Sequence, residues 1–163
     1  MKKILLILLF ITSVFANNIK NDYFIGFGYG STKLTSKSDA ENSLEMKLGT
    51  YFYDPNIYNI SNRVYLNLLK TKTNDNDRIY LSNLQLDWIW TQMPIKPFLG
   101  LSFGYLYHKD NPSGTYGLGA GILFYLGSIL EIEIGGHINH PSENSTAWPD
   151  NVKTIYGSIN FSF

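Results

Sequence analysis

The residues best suited to chemistry gather in the last third of this 163-residue chain. Glu131, Glu133 and His137 alternate along one stretch. Asn139, His140, Pro141 and Ser142 follow directly, and Asp150 lies a little further on. Histidine, serine and a carboxylate are the parts of a serine hydrolase: the acid orients the imidazole, the imidazole takes the hydroxyl proton, and the oxygen attacks an ester. Ser142 is the hydroxyl beside these histidines, Pro141 before it should end a strand, and Asp150 is an acid within the same stretch. Glu131, Glu133 and His137 also suggest metal ligands, but spacings of two and four residues along one strand face separate them too far for a single ion. No phosphate loop or cofactor fingerprint is present, so neither a cofactor nor a metal is expected.

The elements that must position these residues are strands. Side chains alternate across a strand with period two, and from Asp22 onward eight segments follow that rule. They are Tyr23 to Leu34, Ser43 to Tyr53, Arg63 to Thr71, Arg78 to Trp90, Phe98 to His108, Thr115 to Leu126, Ile129 to Asn139 and Val152 to Phe163. The eighth puts Ile155, Ile159, Phe161 and Phe163 on one face, and Thr154, Tyr156, Ser158, Asn160 and Ser162 on the other. The first puts Tyr23, Ile25, Phe27 and Tyr29 opposite Gly26, Gly28 and Gly30. The fourth reads in either phase over its first half, which suggests a bulge near Ser82. Turn-rich gaps separate the segments, among them a two-residue hairpin signal at Gly127-Ser128 and a loop at Asp110 to Gly114.

The ends of the chain say where such strands would reside. Lys2 and Lys3, the apolar run Ile4 to Ile11 and the Val14-Phe15-Ala16 site form a secretory signal peptide over residues 1–16. The mature barrel domain would then be 17–163. That apolar run is too short for a membrane helix, and there are no cysteines for a lipid anchor or a disulfide. Without Lys2 and Lys3, eleven cationic side chains face thirteen acidic ones, a balance of about −2 that offers nothing to nucleic acid. Segments of ~9–11 residues match the tilted crossing of a bilayer. An even number of them returns both termini to one side, the periplasm for an exported chain. Aromatics group at the segment ends. Tyr23, Phe52, Trp88, Trp90, Phe98, Phe124, Phe161 and Phe163 form one girdle, and Tyr29, Tyr80, Tyr105, Tyr107 and Tyr116 form another, as two lipid–water interfaces require.

The architecture expected is therefore all-β: an eight-stranded antiparallel up-and-down transmembrane barrel, with a soluble lipocalin-like barrel as the alternative. The mature chain resembles the small OmpA/OmpX-type outer-membrane barrels in pattern. Phe163, with Phe161 and Ile159 at alternate positions before it, resembles their terminal signature, which in that family is read by the barrel-assembly machinery. Glu45, Lys47, Arg63, Asp87, Glu131, Glu133 and His137 then face the lumen, where buried charges must be paired or hydrated. Arg63 should pair with Asp87, and Lys47 with Glu131 or Glu133. Over its last quarter the chain is similar to the outer-membrane lipid A deacylases. Their His-x-Ser-Asn motif matches at His137, but Asn139 stands at the serine and His140 at the asparagine; shifted to His140, the motif finds Ser142 at the serine and Glu143 at the asparagine, with Asp150 as the acid the resemblance implies in either register. Three functions follow from these resemblances: a monomeric structural or surface-interaction protein in contact with outer-membrane lipid and lipopolysaccharide, a deacylase-like esterase using His137 or His140 with Ser142 and Asp150, and a narrow porin-like pore.

Overall fold

The computed structural model describes residues 20–34, 39–53, 59–72, 78–108, 111–142 and 151–163. Residues 1–16, where the sequence suggests a signal peptide, and Asp150 lie outside them. Eight strands run in chain order: β1 (Lys20–Leu34), β2 (Ala40–Tyr53), β3 (Ile60–Lys72), β4 (Arg78–Trp90), β5 (Ile95–His108), β6 (Asn111–Leu126), β7 (Leu130–Pro141) and β8 (Val152–Ser162). Each pairs antiparallel with its neighbour in sequence, and β1 pairs with β8, so the sheet closes into a barrel with no free edge.

Several strands are longer than their alternation suggested. β6 takes in Asn111 to Gly114, because those residues pair with Tyr105 to His108 across the hairpin despite their loop-like composition. β5 starts at Ile95, so Lys96-Pro97 is inside a strand, with Pro97 opposite Ile122. The turn after β6 has three residues rather than two. Leu126 pairs with Leu130, and Gly127 takes a φ of 81° that a side chain would resist. There is no bulge at Ser82. The β3–β4 register runs unbroken from Ile60↔Trp90 to Lys72↔Arg78. Ile79 and Leu81 simply point inward, where an apolar cluster awaits them.

The outer surface is the apolar one. Phe27, Leu44, Leu48, Leu99, Phe103, Leu118, Ile134 and Ile155 are all exposed, and they form a band between the two aromatic girdles. Soluble monomers rarely leave so many large apolar side chains uncovered; hydrocarbon chains are the solvent that suits them. One girdle residue is misplaced by the sequence reading. Phe98 has the parity of the lumen and is buried inside.

Phe163 takes part in closing the barrel. Its N–H donates to the Tyr23 carbonyl at 2.9 Å, the Tyr23 N–H donates back to the Phe163 carbonyl at 3.1 Å, and the two rings stack 6.4 Å apart. Removing Phe163 strands two backbone groups of Tyr23 at the membrane interface, at about 1–3 kcal/mol each. We expect the deletion to reduce sharply the heat-shiftable, folded band in membrane fractions. A folded fraction equal to wild type would show that the closing pair is dispensable.

Candidate functional site

The lumen has three layers. At the end carrying the chain termini, Phe24, Tyr51, Tyr65, Ile89, Phe98 and Leu123 form an apolar plug. At the opposite end Leu34, Leu69, Ile79, Leu81, Leu106 and Val152 form another. Polar and ionic side chains fill the space between. Inward positions of an eight-stranded barrel converge on a narrow axis, so large side chains fit only where a neighbour is small. The inward glycines provide that room. Gly26 lies beside Asn160, Gly49 beside Tyr65, Gly100 beside Asp87 and Gly119 beside His137.

Glu133 is the hub. Its Oε1 accepts hydrogen bonds from Lys47 Nζ at 2.9 Å, Arg63 Nη2 at 2.9 Å and the Tyr156 hydroxyl at 2.5 Å. Its Oε2 accepts from Arg63 Nη1 at 2.8 Å and Asn160 Nδ2 at 3.0 Å. Arg63 also donates through Nε to Asp87 Oδ2 at 2.7 Å, so one guanidinium clamps two carboxylates from β4 and β7. It lies 4.8 Å from the centres of both the Tyr65 and Phe98 rings. Lys47 sits 3.9 Å over the Tyr156 ring and donates to Ser158. All these charges are fully buried, so only this density of donors makes their burial tolerable.

Of the two acids open to Lys47, the structure selects Glu133. Glu131 instead accepts from the Tyr51 hydroxyl at 2.5 Å and from Ser162 at 2.8 Å, nearer the termini. Glu45 approaches Lys47 only to 3.8 Å, and neither of its oxygens has a hydrogen-bond partner. Further along the axis, Asn139 accepts from Asn83 and Ser102. Tyr156, Asn160 and Tyr51 are the network members that pairing charges alone does not reveal. Their inward parity was the available signal.

The two candidate histidines lie on opposite faces of the wall. His137 points into the lumen, stacked 4.7 Å from the Tyr156 ring, with Gln85 Nε2 3.4 Å from its Nδ1. His140 has the opposite parity and stacks on Tyr116 at 5.5 Å, on the outer surface. Ser142 is exposed at the rim, and its N–H donates to the Gly114 carbonyl at 2.7 Å. Glu131, Glu133 and His137 occupy successive levels of β7 with different partners, and the described residues contain no cluster suited to a metal ion.

Neither the protein-family models nor the curated proteins contain a match. Solved structures do. Neisserial surface protein A aligns with a TM-score of 0.60 at 15% identity, covering 88% of this chain and 97% of that one. The N-terminal β-barrel domain of Pseudomonas aeruginosa OprF aligns at 0.61 and 9%, covering 88% and 100%. The outer membrane enzyme PagL aligns at 0.56 and 10%, covering 84% and 97%. At such identities the likeness speaks for the fold and leaves activity aside. In fold, this chain is one of the small eight-stranded barrels of the outer-membrane type, with a lumen filled by its own side chains.

Proposed function

We propose that the protein is an integral outer-membrane barrel with a structural or surface-interaction role, its termini in the periplasm and the connections after β1, β3, β5 and β7 outside. It would be exported by its signal peptide, inserted by the barrel-assembly machinery through the Phe163 strand, and surrounded by phospholipid and lipopolysaccharide. The observation that carries this reading is the layered lumen. Apolar plugs above and below an ion-paired layer leave the barrel a filled post rather than a conduit, while its apolar outer band suits lipid. The same layering argues against a pore, since an ion would have to pass two dry constrictions.

The test is gel mobility of outer-membrane fractions with and without boiling, joined to conductance in planar bilayers. We expect a band that shifts on boiling and a silent bilayer. A soluble periplasmic product would overturn the membrane assignment, and steady single-channel currents would overturn the filled-post reading in favour of a pore.

A further inference from the structure

The outer wall is not evenly apolar. Among the described residues, every charged side chain on an outward-facing strand position is basic: Lys33, Lys70, Lys72, Arg78 and Lys153. All five lie toward the barrel end opposite the termini. Two pairs stand directly across from each other, Lys33↔Lys153 on β1 and β8, and Lys72↔Arg78 on β3 and β4. Like charges placed directly opposite cost stability, and a strand pair keeps them at low cost where an anion lies between them.

Below the first pair the wall has a groove of about 780 Å³. One cross-strand row runs Trp88, Leu99, Ala120, Gly136, Ile155. Ala120 and Gly136 have little or no side chain, so the row dips between larger neighbours, and Lys153 stands at the groove's margin. Because barrel strands tilt by ~35–45°, such a row climbs obliquely from the girdle at Trp88 toward the basic rim.

We propose that this groove seats one acyl chain of a phosphate-bearing lipid, whose phosphate lies between Lys33 and Lys153. The inference rests on the membrane-barrel reading and goes beyond it, because it assigns a defined lipid site instead of general solvation. The apolar trough accounts for the chain, and the facing lysines account for the anionic head. A zwitterionic lipid fills the trough but brings a cation of its own to the lysines.

The experiment uses the full mature chain carrying Trp90→Phe and Trp148→Phe, so that Trp88 reports alone. It is reconstituted in phosphatidylcholine vesicles containing a fixed fraction of either dibrominated phosphatidylglycerol or dibrominated phosphatidylcholine. We expect quenching of Trp88 to show a preference of about five- to tenfold for the anionic lipid, in line with one or two lysines near an anionic head. Lys33→Gln with Lys153→Gln should abolish that preference and leave quenching by brominated phosphatidylcholine unchanged. Ala120→Phe, which fills the trough from the lipid side, should lower quenching by the anionic lipid. Equal quenching by the two lipids would overturn the site, as would a preference that survives the lysine changes, or quenching that ignores Ala120→Phe. Boiled and unboiled gel samples of each vesicle preparation separate this failure from another one: absence of the folded band would overturn the barrel reading itself.

Discussion

Glu133→Ala should cost about 3–5 kcal/mol of stability, the range seen when one partner of a buried ion pair is removed. The carboxylate accepts from Lys47, Arg63, Tyr156 and Asn160. Without it, the only carboxylate left to Lys47 is Glu45 at 3.8 Å, beside the Ser158 hydroxyl and the Tyr156 ring, and the only one left to Arg63 is Asp87. Two cations are then fully buried with too few acceptors, in a layer closed at both ends by hydrocarbon. Glu133→Gln should fall between wild type and Ala, since it retains the shape and one carbonyl acceptor but loses the charge. Urea titration of the barrel in vesicles, read by the heat-dependent gel shift, measures both variants. A Glu133→Ala midpoint that corresponds to a loss under about 1 kcal/mol would mean that the hub contributes no more than a surface ion pair.

The second large effect separates two glycines on opposite faces. Gly49 points inward, and a Cβ built there would lie 2.7 Å from the Tyr65 Cα, a backbone atom of the paired strand. Rotamer changes cannot relieve that contact; the strands would have to part, and Tyr65 packs against both Phe24 and Arg63. Gly49→Val should therefore cost at least the ~1–3 kcal/mol of ordinary overpacking. Gly157 faces outward, and its nearest neighbour would be the Glu133 carbonyl at 3.9 Å. Gly157→Val should stay within about 0.5 kcal/mol of wild type, as surface changes usually do. The same titration compares them. Equal losses in the two variants would mean that crowding on the concave face does not set where glycine is required.

The barrel was legible in the sequence because its two solvents differ so sharply. Lipid outside and a polar interior impose a period of two that few other arrangements sustain over eight segments. The alternation identified the faces of β1, β2, β3 and β7, and with them the inward direction of Glu45, Lys47, Arg63 and Glu133. It became ambiguous where the interior is itself apolar. Ile79 and Leu81 look lipid-facing to a pattern reading, yet they belong to the plug, and the apparent bulge at Ser82 came from this. Phe98 misled in the same way at the other end. Turn chemistry misled at Asn111 to Gly114, where cross-strand pairing overrides local composition. The site was only half legible. Parity says that Glu133 faces inward, but not that it, rather than Glu131, is the residue facing both cations. That choice depends on barrel stagger, which brings β7 across the axis from β2 and β3 and appears in no local window. Parity also divides the two candidate histidines, placing His137 in the lumen and His140 on the outer surface.

The hub also bears on the order of events during folding. The partners of Glu133 lie 86 residues away at Lys47 and 70 at Arg63, and 27 at Asn160 on the strand that completes the ring. The β7–β8 hairpin can hold Glu133 with Asn160, but no hairpin holds it with either cation. A chain with only its local hairpins formed has the carboxylate on one and the cations on others, each still needing water. Contacts of this span form late, after the transition state for closure. The ionic layer should therefore act as a latch: its loss would hasten opening of the finished barrel while leaving the rate of closing almost untouched.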